Sequence, residues 1–273
     1  MLSKDMVYLK EMCKEVRRDI VRAIGGAGVG HIGGSLSIVE TLVLLYFNEM
    51  NVDPKNPEMV DRDRLVLSKG HAGPALYSVL AEKGFFDKSW LDTLNAPGTR
   101  LPSHCDMNNT PGVDMTAGSL GQGFSCAVGM AQAAKITGSP ARVFAILGDG
   151  ESQEGQIWEA AMYAGNHGLD NLIAFTDYNN AQISGKVSEI NDIAPLADKW
   201  NSFKFFTIEV TDGNDIEEIQ YALDRAKAQS KPSMIILHTK KGKGVSFAEK
   251  AGIGSHSMNM TPDDVRAALE ELK

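Results

Sequence analysis

Arg142-Val143-Phe144-Ala145-Ile146-Leu147-Gly148-Asp149-Gly150 decides the fold. It is read together with Leu172-Ile173-Ala174-Phe175-Thr176-Asp177, which leads into Asn179-Asn180, thirty residues after Asp149. Each stretch opens with a strand-like apolar run, and between them Glu151 to His167 carries Ile157, Ala160, Ala161 and Ala164 at helical spacing. Strand, helix, strand in that order sets Asp149 and Asn179 at the carboxyl ends of neighbouring parallel strands, where open α/β sheets bind ligands. One carboxylate and one amide are too few to cage a metal alone. They suit Mg2+, which takes oxygen ligands in octahedral geometry and shares them with the phosphates of a substrate or cofactor. Gly148 and Gly150 let the chain turn sharply and come close to a ligand, and the start of the next helix would aim free N–H groups at a phosphate. Alone, Gly-Asp-Gly reads as an ordinary turn; the flanking strand, the helix and the second oxygen ligand reverse that reading.

Upstream, residues 4–24 place Leu9, Met12, Cys13, Val16, Ile20 and Ile24 on one helical face. A Gly-rich loop is expected over 25–34, a second helix from Ser37 to Asn48, and further helices over Ala75–Lys83 and Lys88–Leu94. Residues 95–117, with Pro97, Pro102, Pro111 and Gly112, read as a long ordered loop, and loops of that length are usually functional. Gly118 to Ile136 reads as a helix rich in small residues. Downstream, strands are expected over Phe205–Val210 and Ser233–His238 with a helix from Asp215 to Ala228 between them, and Thr261-Pro262 opens a last helix. The expected fold class is α/β, a parallel β-sheet with right-handed crossovers and helices on both faces, forming one domain over residues 1–273.

The chain has 273 residues, 43% hydrophobic and 23% charged, the balance of an ordinary globular protein. Its net charge of −8 argues against nucleic acid or an anionic membrane as partner. Cys13, Cys105 and Cys126 show no Cys-x-x-Cys pairing and read as free thiols in a reducing cytoplasm. Met1 to Lys10 is charged and lacks an apolar signal core, and no run of about 18 apolar residues is present to span a bilayer. Gly28-Val29-Gly30-His31-Ile32-Gly33 matches the G-x-G-x-x-G dinucleotide pattern. That pattern requires a preceding strand, whereas an amphipathic helix with Arg17, Arg18, Asp19 and Arg22 stands there, so a nicotinamide site is set aside.

Gly148-Asp149-Gly150 followed about thirty residues later by Asn resembles the thiamine diphosphate signature. Gly30-His31-Ile32-Gly33-Gly34-Ser35, the run Arg62 to His71, Thr110-Pro111-Gly112-Val113-Asp114, Gly118-Ser119-Leu120-Gly121-Gln122-Gly123 and Trp158-Glu159-Ala160 narrow the resemblance to the transketolase family. The similarity runs from about residue 10 to the end. It resembles the N-terminal subunit of a split transketolase, which implies a partner chain with the pyrimidine-binding domain and an expected assembly of two of each chain.

The resemblance implies thiamine diphosphate as cofactor and Mg2+, with Ca2+ or Mn2+ as substitutes, held by Asp149, Asn179 and the backbone carbonyl of Ala181. Gly150 would offer its N–H to the diphosphate, His71 and His256 would reach it, and Gly118 and Leu120 would lie against the pyrimidine ring. Glu154 is a nearby acid, or else a solvated helix carboxylate. His31, His71 and His104 are the candidate catalytic histidines, facing sugar hydroxyls and relaying protons, while His167 and His238 read as structural. Ser119 stands where fused members more often have Pro, and Ser257 follows His256 where Gly is usual. Lys240, Lys241 and Lys243 either steer anionic sugars or are solvated charge. The implied reaction moves a two-carbon ketol unit from a ketose phosphate to an aldose phosphate, with the chain inactive alone. The alternatives are a specialised enzyme for a sulfonated or branched sugar phosphate and a non-catalytic binding subunit.

Overall fold

A computed structural model describes residues 6–273. Residues 4 and 5 of the first expected helix lie outside the described residues, as does the first half of the Met1–Lys10 segment. The elements, in order, are α1 (Met6–Ala27), β1 (Val29–Gly30), α2 (Ile32–Leu36), α3 (Val39–Leu44), β2 (Arg64–Leu67), α4 (Gly73–Lys83), α5 (Gln122–Thr137), β3 (Val143–Gly148), α6 (Gly155–Asn166) and β4 (Leu172–Tyr178). They continue with α7 (Val187–Ile190), α8 (Leu196–Ser202), β5 (Phe206–Val210), α9 (Ile216–Lys227), β6 (Ser233–His238), α10 (Ser246–Ala251), β7 (Met258–Asn259) and α11 (Pro262–Glu271). The main sheet has the order β2-β3-β4-β6-β5, and every neighbouring pair in it is parallel.

Strand side chains alternate between the two faces, and both faces are covered. Leu65, Leu67, Phe144, Ile146, Ile173, Phe175, Ile235 and Leu237 pack with α1, α3, α4 and α9. Val66, Val143, Ala145, Leu147, Leu172, Ala174, Met234 and Ile236 pack with α5, α6 and α8. Burial on both faces is why these strands read as continuous apolar runs rather than alternating ones. Among the described residues no helix is long and apolar enough to cross a membrane.

Several boundaries differ from expectation, each for a packing reason. The Gly-rich stretch is not all loop: α1 runs through Gly25 to Ala27, because Gly25 lets the helix press against α11. A Cβ at Gly25 would lie 2.2 Å from Val265 Cγ2. Val29–Gly30 then pairs antiparallel with Met258–Asn259. The Ser37–Asn48 helix is interrupted, α3 being followed by a wide π turn at Leu45–Glu49. The helix expected from Gly118 starts at Gln122, since Gly121 ahead of it adopts φ +88°. Arg64–Leu67, read from sequence only as part of a motif, is the edge strand β2.

Between Thr93 and Gln122 there is no helix or strand, and polar pins order the chain instead. The buried Asp114 carboxylate accepts from Arg62, from Arg64 Nη1 at 3.3 Å and from the Leu65 N–H at 2.8 Å. Tyr77 Oη donates to the Pro102 carbonyl at 2.9 Å. Gly70 leaves room for this loop, since a Cβ there would lie 2.4 Å from the Ala117 carbonyl oxygen. Replacing Asp114 with Ala strands the buried Arg62 guanidinium. We expect it to cost about 3–5 kcal/mol of unfolding free energy, read as a lower urea midpoint at unchanged m-value.

Candidate active site

The carboxyl ends of β2, β3, β4 and β6 open onto one cleft of about 390 Å³. Its lining includes His31, His71, His104, Gly118, Leu120, Asp149, Gly150, Glu154, Asn179, Ala181 and His256. Every candidate site residue named from the sequence is therefore brought to the same place. A larger cavity of about 500 Å³ between α6 and α8, lined by Met162, Tyr163, His167 and Phe203, holds none of them.

Asp149 follows β3 directly and is buried. Its Oδ1 accepts the Gly150 N–H at 2.7 Å, and its Oδ2 accepts the N–H groups of Asn179 at 2.9 Å and Asn180 at 2.5 Å. Burial, and then the nearby Asp177 carboxylate, push Asp149 up to about 6. Asn180 takes a left-handed φ of 55°, which turns the chain back over the strand tip. Asn179 Oδ1 accepts the Ala181 N–H at 3.1 Å, and the Ala181 carbonyl accepts from Lys241 Nζ at 2.7 Å.

The donor set constrains which cation fits. Among the described residues no three His, Cys, Asp or Glu side chains converge on one point, which excludes the usual Zn2+ cage. One carboxylate, one amide oxygen and one carbonyl fit a hard cation that completes its shell with phosphate oxygens. The Lys241 ammonium already places a positive charge on the third of these oxygens.

Four imidazoles also line the cleft. The ring centre of His31 lies 5.5 Å from that of His71, 5.4 Å from His104 and 5.6 Å from His256, and His71 lies 4.9 Å from His256. Burial lowers all four. His256 falls to about 4, with Lys241 as the second cause, and His71 falls far below its ordinary value, with Lys69 as the second cause. Near neutral pH these rings are uncharged, so each offers one donor and one acceptor nitrogen.

Sequence reasoning missed several cleft residues. Lys69 and Asp177 form a buried ion pair. Burial, the largest single cause, raises Asp177, but the Lys69 ammonium together with the hydrogen bonds from Lys69, Thr239 and Ser37 leaves the carboxyl below its ordinary value. Glu151, also buried, accepts from Ser68 Oγ, from the Gly121 N–H at 2.8 Å and from the Gly148 N–H at 3.0 Å, tying the 118–121 turn to β3. An acid just before a helix reads as a dipole partner, so nothing in the sequence marked it. Of the three lysines left open, Lys240 pairs with Glu249 and only Lys241 lines the cleft. Lys241 is buried, and burial followed by Lys69 lowers it to about 8. Glu154 is exposed on the cleft wall.

The cleft and its fold have counterparts in known proteins. The family profile "Transketolase, thiamine diphosphate binding domain" matches residues 9–272. The chain is 55% identical to the 6-deoxy-6-sulfo-D-fructose transketolase subunit SqwG of Clostridium sp. strain MSTE9, over 100% of this chain and 98% of that protein. It is 40% identical to one of the named subunits of the apulose-4-phosphate transketolase of Actinobacillus succinogenes, over 97% of this chain and 96% of that one. The crystal structure of transketolase from Campylobacter jejuni superposes with a TM-score of 0.91 at 32% identity, covering 98% of this chain but 43% of the solved one. The chain thus spans less than half the length of that solved transketolase.

The histidine shifts set a pH dependence. With His256 at about 4 in the folded chain and 6.5 when unfolded, the unfolded state binds more protons across that interval. Its contribution is whole above pH 6.5 and is lost as pH falls toward 4. Asp149, raised to about 6, acts in the opposite sense below that pH. The histidine part is therefore read as a difference: between pH 7 and pH 5, His256→Gln should lose less unfolding free energy in urea than the wild type.

Proposed function

This chain belongs to the transketolase family, and we propose that it is the diphosphate-holding subunit of a two-chain, Mg2+- and thiamine diphosphate-dependent enzyme. Together with its partner it transfers a two-carbon ketol unit from a ketose phosphate to an aldose phosphate. The observation that carries the reading is the convergence of Asp149, Asn179, the Ala181 carbonyl and four uncharged histidines on one cleft at the strand tips.

Asp149, Asn179 Oδ1 and the Ala181 carbonyl hold Mg2+, or Ca2+ or Mn2+ in its place. The Ala181 carbonyl, which accepts from Lys241 Nζ at 2.7 Å, would offer the metal its second lone pair. Gly150, Glu154, His71 and His256 line the diphosphate region, and Gly118 and Leu120 lie against the ring end. When bound, thiamine diphosphate supplies the carbon nucleophile and the electron sink. This chain's residues bind, orient and handle protons. His104, the most exposed of the four rings, and His31, which touches the other three, take the sugar hydroxyls. His71, half-buried and uncharged, passes a hydrogen bond between them and the diphosphate region.

Residues 1–273 act as one diphosphate-binding domain, cytoplasmic and paired two-and-two with a chain that carries the pyrimidine-binding domain. Support comes from the relatives named as subunits, of which this chain matches 98% and 96% of the length. Exposed apolar residues at the cleft rim, Leu120 at 37% and Ile183 at 71%, also support it, since they leave the cleft open for a second surface.

A second reading concerns the sugar. The relative at 55% identity is named for 6-deoxy-6-sulfo-D-fructose, which favours a ketose with a terminal sulfonate as donor. Assay of the co-purified two-chain enzyme with 6-deoxy-6-sulfo-D-fructose and with fructose 6-phosphate separates the two donors. Cofactor binding without transfer to any aldose phosphate would point to a non-catalytic subunit. In the same complex Asp149→Ala should lower Mg2+-dependent thiamine diphosphate affinity by more than the roughly 10–100-fold typical of supporting residues and abolish transfer. Unchanged calorimetric binding would refute the site.

A further inference from the structure

We infer that Asp177 is the positioning residue of the metal-binding turn, fixing which way the Asn179 amide faces, with Lys69 as its buried counter-ion. Asp177 lies near the end of β4 and is fully buried. Its Oδ2 accepts from Ser37 Oγ at 2.7 Å, from Lys69 Nζ and from Asn179 Nδ2 at 3.0 Å, while Oδ1 accepts from Thr239 Oγ1. These donors come from segments following α2, β2, β4 and β6. A carboxylate only accepts hydrogen bonds. The Asn179 NH2 must therefore face Asp177, and its Oδ1 must face the other way, toward Ala181 and the proposed metal position. The Ala181 N–H, donating to Oδ1 at 3.1 Å, holds the amide the same way round.

Lys69 completes the device. Its ammonium also donates to the Gly34 carbonyl at 2.8 Å, so the Asp177 charge is neutralised within the protein and not by the incoming cation. Asp149 and Asp177 can then sit one residue apart in register across β3 and β4, with the Asp149 N–H reaching the Asp177 carbonyl at 3.3 Å. A purely structural ion pair would use the same Lys69 contact. It would not require the Asn179 bond, and the two readings separate on that point.

The inference rests on Asp149 and Asn179 as metal ligands. It is tested by isothermal calorimetry of MgCl2 and thiamine diphosphate on the full chain in complex with its partner, alongside thermal melts. Two charge-balanced pairs are compared. Lys69→Met with Asp177→Asn keeps a carbonyl that can accept from Asn179; Lys69→Met with Asp177→Ala does not. Removing both charges spares the fold a stranded ion, so both pairs should melt close together. The first should bind within about threefold of wild type, and the second at least tenfold more weakly. Equal affinity in the two pairs overturns the inference.

If the alanine pair does not fold, the swap decides. Asn179→Asp alone should weaken Mg2+-dependent binding despite its added charge, because two carboxylates then face each other. Adding Asp177→Asn should restore it to within about threefold. Failure of the swap to restore binding overturns the inference. An Asp149→Ala arm keeps the premise separate: if it binds like wild type, the metal site itself is wrong, whatever the pairs show.

Discussion

Three carboxylates, those of Asp149, Glu151 and Asp177, are buried within a few ångströms of the strand tips, and the architecture of the cleft follows from the need to satisfy them. A buried anion without hydrogen bonds is too costly for a folded chain to keep. Each of the three is filled by donors drawn from other segments: Asn179 and Asn180 for Asp149, Ser68 and Gly121 for Glu151, Ser37, Lys69 and Thr239 for Asp177. Loops that carry no regular structure are thereby fixed in place.

The cleft is lined by four carboxylates, Asp149, Glu151, Glu154 and Asp177, and by two ammoniums, Lys69 and Lys241. The protein carries a net −8, and the two ammoniums are both buried. Lys69 is committed to Asp177. Lys241 rests on a neutral carbonyl and an imidazole, Ala181 and His256 at 2.7 and 3.1 Å, and is the charge left over for an anionic guest. The histidines, held uncharged chiefly by burial, add donors and acceptors without adding to the field. The cleft thus offers one uncommitted cation beside a wall of neutral hydrogen-bonding groups.

Much of this was legible along the chain. The runs 142–147 and 172–177 announced two parallel strands because burial on both faces leaves a continuous apolar signature, and the structure carries them as β3 and β4. The short edge strand Arg64–Leu67 was not read as one, because four residues between charged neighbours give too little periodicity. Glycines misled at 25–26, where Gly25 serves helix contact, and at 118–121, where Gly121 delays the helix by its positive φ.

The sequence by itself determined the α/β class, the oxygen-bearing residues at two strand ends and the family resemblance, since strand periodicity and motif spacing are local properties that survive in one dimension. Only the tertiary structure decided which lysine enters the cleft, which acids are buried and what orients Asn179. Those facts depend on partners far apart in the chain: Lys69 and Asp177 are 108 residues apart, Ser37 and Asp177 140, and Lys241 and Ala181 60. A lysine buried beside a carboxylate and one loose in water are the same letter, and the difference is made by what the fold brings next to it.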